Sequence, residues 1–249
     1  VILPYMGTSG LLSALSSVPN LSYVQGQSTG YDGVLEAVGP KVGVANASGV
    51  HAAATAELAL GLILAKLRGI DQAARDQSQH RWNHNRRLSL ADRRVLLLGV
   101  GGIGAEIAKR LAPFEVSLTR VGSRARTDEF GQVHGTDELI DLAPDHDILV
   151  VILPLSESTH GLVGAEVLSA LPDGALVVNV GRGAVIDTDA LTTEVVAGRL
   201  ECALDVMDPE PLPESHPLWD SPHALITPHV GGNTSAFYPR MVALLHRQL

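Results

Sequence analysis

The sequence predicts an α/β protein: a doubly wound parallel sheet with helices on both faces, preceded by a smaller α/β domain. Three observations lead there. Runs such as "VLLLG", "DILVVILP" and "ALVVNVG" are continuously apolar, as strands covered on both faces must be. Helical stretches, among them "AEVLSALP" and "TDALTTEVVAG", separate the runs. A glycine-rich turn joins the first run to the helix "AEIAKRL".

Taken in order, "VILP", "GLLSALSSV" and "LSYVQGQ" read as strand, helix and strand. The chain has no initiator Met and opens directly in a strand-like run, without the charged segment of a signal peptide, which suggests that its true beginning is missing. From His51 to about Leu67 alanine and leucine give a strong helix pattern that stops at Gly69. That helix is apolar nearly all round, so it is expected to be buried against another domain or subunit, and a homodimer is expected. A polar helix (71–80) and a basic connection, "HRWNHNRR", follow. Strand, turn and helix then alternate from about residue 85 to 230. The tail "SAFYPRMVALLHRQL" reads as a helix crossing back to the first domain. The expected divisions are therefore 1–84, 85–230 and 231–249.

Bulk properties exclude several functions. The 249 residues carry a net charge of −9, which argues against binding a nucleic-acid backbone. No stretch approaches the roughly 18 uninterrupted apolar residues of a membrane span. Cys202 is the one cysteine, so no intrachain disulfide forms, and a reducing cytoplasm is the expected location. No residue cluster suggests a metal site.

The glycine turn reads Gly99-Val100-Gly101-Gly102-Ile103-Gly104, with a strand before it and a helix after it. In that context it predicts dinucleotide binding, a Rossmann arrangement. Gly99 permits the tight turn, Gly101 lets a pyrophosphate approach the backbone, and Gly104 packs helix on strand. Gly102 and Ile103 open the helix whose N-terminus faces the phosphate charge. The next strand end decides which dinucleotide. A site for NAD places Asp or Glu there to accept from the ribose hydroxyls, yet no acid occurs between Val116 and Thr127. Arg120, Ser123, Arg124 and Arg126 stand there instead, donors suited to a 2′-phosphate. NADP is therefore the expected cofactor, with NAD possible.

With these features in place the chain resembles the D-isomer-specific 2-hydroxyacid dehydrogenase family, in a branch like the glyoxylate and hydroxypyruvate reductases. The resemblance runs through "STGYD" (28–32), "NASGVHAAATAELALGLILA" (46–65), "GVGGIG" and "ILPLSESTHGLVG" (152–164). It continues through "NVGRGAVIDTDAL" (179–191), "ALDVMDPEPLP" (203–213) and "ITPHVGG". It implies that Arg182 holds the substrate carboxylate and carbonyl, that His229 is the acid–base residue, and that Glu210 pairs with it. It implies cofactor contacts from Leu153, Pro154, Thr159, Val180 and Gly231 as well as the glycine loop, Ser123 and Arg124, with Asp205 facing the nicotinamide. The backbone amides of Thr29 and Gly30 are implied in carboxylate binding, and a small 2-oxoacid or 2-hydroxyacid is the implied substrate. Family members usually carry a further strand–helix portion before "VILP" and more chain after Leu249. The departure from the pattern is the missing ribose acid. Formate dehydrogenases of this fold are disfavoured by Glu210, because the resemblance there implies glutamine. Phosphite oxidation and a cofactor-sensing protein without turnover stay open as alternatives.

Overall fold

A computed structural model describes residues 1–5, 7 and 9–248. In chain order the elements are α1 (Ser9–Leu15), β1 (Tyr23–Gln25), α2 (Val34–Val38), β2 (Gly43–Ala45), α3 (Ala52–Arg68) and α4 (Ile70–Ser78). Then come β3 (Arg94–Leu98), α5 (Gly102–Leu111), β4 (Ser117–Gly122), β5 (Arg126–Asp128), β6 (Gly131–Gly135), α6 (Leu139–Leu142) and β7 (Ile148–Val151). The remainder are α7 (Ala165–Ala170), β8 (Leu176–Asn179), α8 (Thr188–Val196), β9 (Glu201–Leu204), β10 (Ala224–Ile226) and α9 (Phe237–Gln248). The chain divides into two compact units, one of Thr55–Gly231 and one of Val1–Ala54 with Gly232–Leu249. Among the described residues no helix is long and apolar enough to cross a membrane.

The larger unit holds an eight-stranded sheet in the order β10-β9-β8-β7-β3-β4-β6-β5. Every pairing is parallel except β5 with β6. The strands β7 and β8 are buried along their whole length, as their unbroken Val/Ile/Leu runs require. One apolar layer lies on each face. Val167, Leu168, Leu191 and Val195 from α7 and α8 pack on one side. On the other, Ile107 and Leu111 of α5 pack together with Ala56, Ala59, Leu60, Ile63 and Leu67 of α3. The reversal of strand order between β3 and β7 opens a crevice at their C-terminal ends, where doubly wound sheets bind ligands.

The packing of α3 corrects one expectation. From Thr55 onward its apolar faces are covered by its own unit, and Glu57, Gly61 and Arg68 are what it exposes. Its composition therefore reflects an internal position on the sheet and does not itself require a second subunit. Two further differences are local. "VILP" does not form a strand; Ile2 makes an isolated bridge to Gln25, and Pro4 has no N–H with which to continue the ladder. The chain after β4 turns back as the antiparallel hairpin β5–β6, which its short polar strands did not announce.

The smaller unit pairs β1 and β2 in parallel over Leu15, Val24 and Val34. In the same unit α9 sets Met241 and Leu244 against Ala47 and Val50.

Candidate active site

The glycine loop leaves β3 with Gly99 at φ 123°, a conformation that side chains resist. A Cβ on Gly99 would run into the Ile152 carbonyl, and one on Gly104 into the Gly99 carbonyl, so both glycines are demanded by packing. At Gly101 and Gly102 the situation is the reverse, because a Cβ would meet nothing within 4 Å. The first helical bond of α5 runs from the Ala105 N–H to the Gly101 carbonyl. The amides before it point out of the helix end into that open space, as a phosphate requires. These residues fit a dinucleotide pyrophosphate.

At the end of β4, Gly122 lies against this loop, and a Cβ there would come 2.9 Å from the Val100 side chain. The next residues, Ser123 and Arg124, are exposed. Among the described residues the Arg124 side chain has no ion-pair or hydrogen-bond partner. The other two arginines behave differently. Arg120 is committed to Asp128 by two bonds of 3.0 and 2.7 Å, and Arg126 donates to the Arg124 carbonyl at 3.3 Å. The arginine group read from the sequence thus reduces to Arg124, with Ser123 beside it. Asp128 lies beyond the window in which a ribose acid was sought, and its carboxyl is held below the ordinary range by the Arg120 hydrogen bonds.

Arg182 sits in a turn closed by buried Asn179. The Asn179 amide donates to the Arg182 carbonyl at 3.0 Å and accepts from the Gly181 N–H at 3.0 Å. Both flanking glycines are jammed against backbone. A Cβ on Gly181 would lie 2.8 Å from the Leu153 carbonyl, and one on Gly183 would overlap Met207. The half-buried guanidinium donates to the Gly181 carbonyl at 2.8 Å. Leu153 is half-buried and Pro154 exposed after β7, where Thr159 braces the loop by donating to the Pro154 carbonyl at 2.7 Å. Val180 is buried and donates its N–H to Val151 at 3.1 Å.

His229 follows β10 with φ 51°, in the left-handed region. Its Nδ1 lies 2.6 Å from Glu210 Oε1, with both side chains partly exposed. What holds the loop is Asp205, only 2% exposed. Its Oδ1 accepts from the Thr227 hydroxyl at 2.6 Å and the Val230 N–H at 2.9 Å, and its Oδ2 accepts from the Gly231 N–H at 2.9 Å. The Asp205 carbonyl takes the His229 N–H at 2.9 Å. The carboxylate expected at a nicotinamide is thus the clasp of the histidine loop. Gly231 has no room for a side chain beside it, since a Cβ would stand 3.0 Å from Asp205 Oδ2. Asn179 and the clasping role of Asp205 escaped sequence reading, although each stands where a buried polar residue ends an apolar strand.

In the smaller unit the loop after β1 has three carbonyls held from within the chain. Gln25 Nε2 donates to Gly26 at 2.9 Å, the Ala47 N–H to Ser28 at 2.9 Å, and Asn46 Nδ2 to Thr29 at 2.7 Å. Among the described residues the amides of Gln27, Ser28, Thr29 and Gly30 have no acceptor, and the buried Thr29 hydroxyl has no partner. A run of amides with no internal acceptor is suited to an anion.

A parallel sheet with a phosphate-fitting glycine loop at its crevice, and an imidazole–carboxylate pair after another strand of the same sheet, defines a dinucleotide-dependent oxidoreductase. The comparisons give the family. Residues 60–231 match the family described as "D-isomer specific 2-hydroxyacid dehydrogenase, NAD binding domain", and the chain belongs to it: an NAD(P)-dependent enzyme family that interconverts small 2-oxoacids and D-2-hydroxyacids. The chain is similar to the glyoxylate reductase of Thermofilum pendens, 32% identical over 94% of this chain and 73% of that protein. It is similar to the NADPH-dependent glyoxylate/hydroxypyruvate reductase of Sinorhizobium meliloti in complex with NADP and malonate. That likeness is 35% identity and a TM-score of 0.83, over 93% of this chain and 74% of the other. A 2-hydroxyacid dehydrogenase of Xanthobacter autotrophicus Py2 in complex with NADPH and MES matches at 30% identity and TM-score 0.82, covering 98% and 78%.

Proposed function

We propose that this chain is an NADPH-preferring reductase of small 2-oxoacids such as glyoxylate or hydroxypyruvate, with His229 as its proton donor. The observation that carries the reading is the 2.6 Å contact between His229 Nδ1 and Glu210. Glu210 holds the Nδ1 proton and orients the ring, which leaves Nε2 to exchange a proton with the substrate oxygen. Arg182 offers the planar fork that a carboxylate and its neighbouring carbonyl accept. In the smaller unit the amides of Thr29 and Gly30 have no acceptor of their own among the described residues and suit a carboxylate, which supports reading that unit as the substrate domain. When bound, the nicotinamide supplies the hydride. Gly101, Gly102 and Ile103 present amides to its pyrophosphate. Leu153, Pro154, Thr159, Val180 and Gly231 line its path, with Asp205 behind the last of these. Two relatives were crystallised with NADP or NADPH, and the exposed Arg124 beside Ser123 supports a 2′-phosphate contact here. The test is oxidation of NADPH with a panel of 2-oxoacids. Turnover of glyoxylate or hydroxypyruvate is the expected result, and turnover of none of them overturns the reading in favour of a sensor.

We further propose a homodimer, on a different observation from the one that first suggested it. Trp82 is 97% exposed within residues 81–89, which have no regular secondary structure. A bare indole of that size is a typical interface anchor. Light scattering at micromolar concentration should show a dimer that Trp82→Ala weakens, and a wild-type monomer overturns the proposal. The buried lone thiol of Cys202, pushed up to about 12 by burial, fits a structural role in a reducing cytoplasm.

A further inference from the structure

The fourth carbonyl of the substrate loop, that of Gln27, is held by a residue with no assigned role. His51 is only 5% exposed, at the entry to α3. Its Nε2 lies 2.8 Å from the Gln27 carbonyl and its Nδ1 3.3 Å from the Gly232 carbonyl. Both partners are acceptors only. A neutral imidazole has one N–H, so one carbonyl would face a lone pair; an imidazolium donates to both. The ring also packs in a three-ring cluster with Tyr5 and Phe237, whose own centroids are 4.7 Å apart. Tyr5 lies 5.2 Å away at 21° and Phe237 5.3 Å away at 12°. Among the described residues Tyr5 is the titratable group that faces the ring. Gln27, Gly232 and Phe237 carry no charge, and no carboxylate hydrogen-bonds it. Position 232 is shaped to this ring, because a Cβ there would lie 2.7 Å from His51 Nδ1 and 2.8 Å from the Tyr5 hydroxyl.

We infer that His51 is a positioning residue, acting as a buried imidazolium that ties the Gln27 carbonyl to the Gly232 carbonyl and so keeps the amides of residues 27–30 turned outward for the substrate carboxylate. The inference rests on the proposed role of Thr29 and Gly30. His51 touches neither substrate nor cofactor. With its two donors in place, all four carbonyls from Gly26 to Thr29 are occupied. If the Gln27 carbonyl is released, that peptide is free to rotate, and the anion site loses its neighbouring amide.

Two measurements test this. The first is ¹H–¹⁵N NMR of the imidazole nitrogens in wild-type protein at about pH 6, with His51→Asn to assign the signals. Two slowly exchanging His51 ring N–H groups are expected; a single one overturns the imidazolium. The second is steady-state kinetics. H51N should raise KM for the 2-oxoacid about tenfold, the equivalent of one net hydrogen bond, and leave kcat and NADPH affinity in place. H51Q, whose amide donor reaches about as far as Nε2 and can still meet the Gln27 carbonyl, should fall between wild type and H51N, and Gly232→Ala should mimic H51N by displacing the ring. A folded H51N enzyme with unchanged KM overturns the inference. If wild-type protein turns over no 2-oxoacid, the proposed function fails and the NMR result alone decides the clamp.

Discussion

The glycine loop after β3 and the histidine loop after β10 sit at strand ends of one sheet and are built by opposite means. The first is made of space: its two packing glycines close the turn, and its two open ones leave bare amides. The second is made of bonds: a buried carboxylate takes two backbone N–H groups and a hydroxyl, and forces His229 into a left-handed conformation. The difference teaches that the glycine loop depends on what is missing from its side chains, whereas the histidine loop depends on a residue distant in sequence. Damage to the two should therefore separate cleanly into cofactor affinity and turnover.

The largest effect should come from His229→Ala. General acid catalysis contributes about 10²–10⁴-fold, and kcat should fall by that much with NADPH affinity kept. Reduction consumes a proton and oxidation releases one, so the wild-type reductive and oxidative rates should show opposite pH trends. Stopped-flow rates across pH check both; an H229A enzyme with an unchanged profile would separate the histidine from the chemistry.

Next in size is Arg124→Ala. One charge-assisted contact with phosphate is worth about 1.5–3 kcal/mol, or roughly ten- to a hundredfold in affinity. NADPH binding should weaken by that factor while NADH binding and kcat stay level. Equal affinity for the two cofactors in the wild type would remove the basis of this expectation.

Asp205→Asn tests the clasp. It keeps the shape of the side chain but replaces one acceptor oxygen by a donor facing an N–H. A cost of about 1–3 kcal/mol is expected for the group left unsatisfied. Denaturant midpoints should fall accordingly, and kcat should fall more than NADPH affinity. A variant that loses cofactor first would mean that the two loops are not independent.

The smallest effect concerns acid stability. Asp76, beside the basic connection, is held below the ordinary aspartate range by hydrogen bonds from Arg81, Gln72 and Asn83. A carboxyl depressed in the folded state contributes fully above its unfolded titration range, and that contribution is lost as pH falls through the lowered value. Asp76→Asn should therefore lower Tm near neutrality and narrow the gap to wild type in acid. A gap that widens in acid would contradict the assignment.

These contrasts also explain what was legible in the sequence. The loop made of space was fully legible, since glycines at fixed spacing after an apolar strand state their own geometry. So were β7 and β8, whose unbroken aliphatic runs have no other use. His229, Glu210 and Arg182 were reached through resemblance, because nothing local says that residues 210 and 229 meet. The clasp by Asp205 was hidden for the same reason, its partners lying 22 to 26 positions away. The arginine cluster misled in part. Arg120 and Arg124 look equivalent in one dimension, and only the β5–β6 hairpin, which brings Asp128 back beside β4, separates the structural cation from the available one.

The left-handed backbone at His229 has a practical consequence for trapping this enzyme with its ligands. Alanine at that position meets a steric penalty, so an alanine knockout confounds lost chemistry with a relaxed loop. Asparagine enters the left-handed region more readily than most residues and has no ionisable proton. His229→Asn is accordingly the inert form to choose for capturing a ternary complex, silent in proton transfer yet still wearing the native curve of the chain.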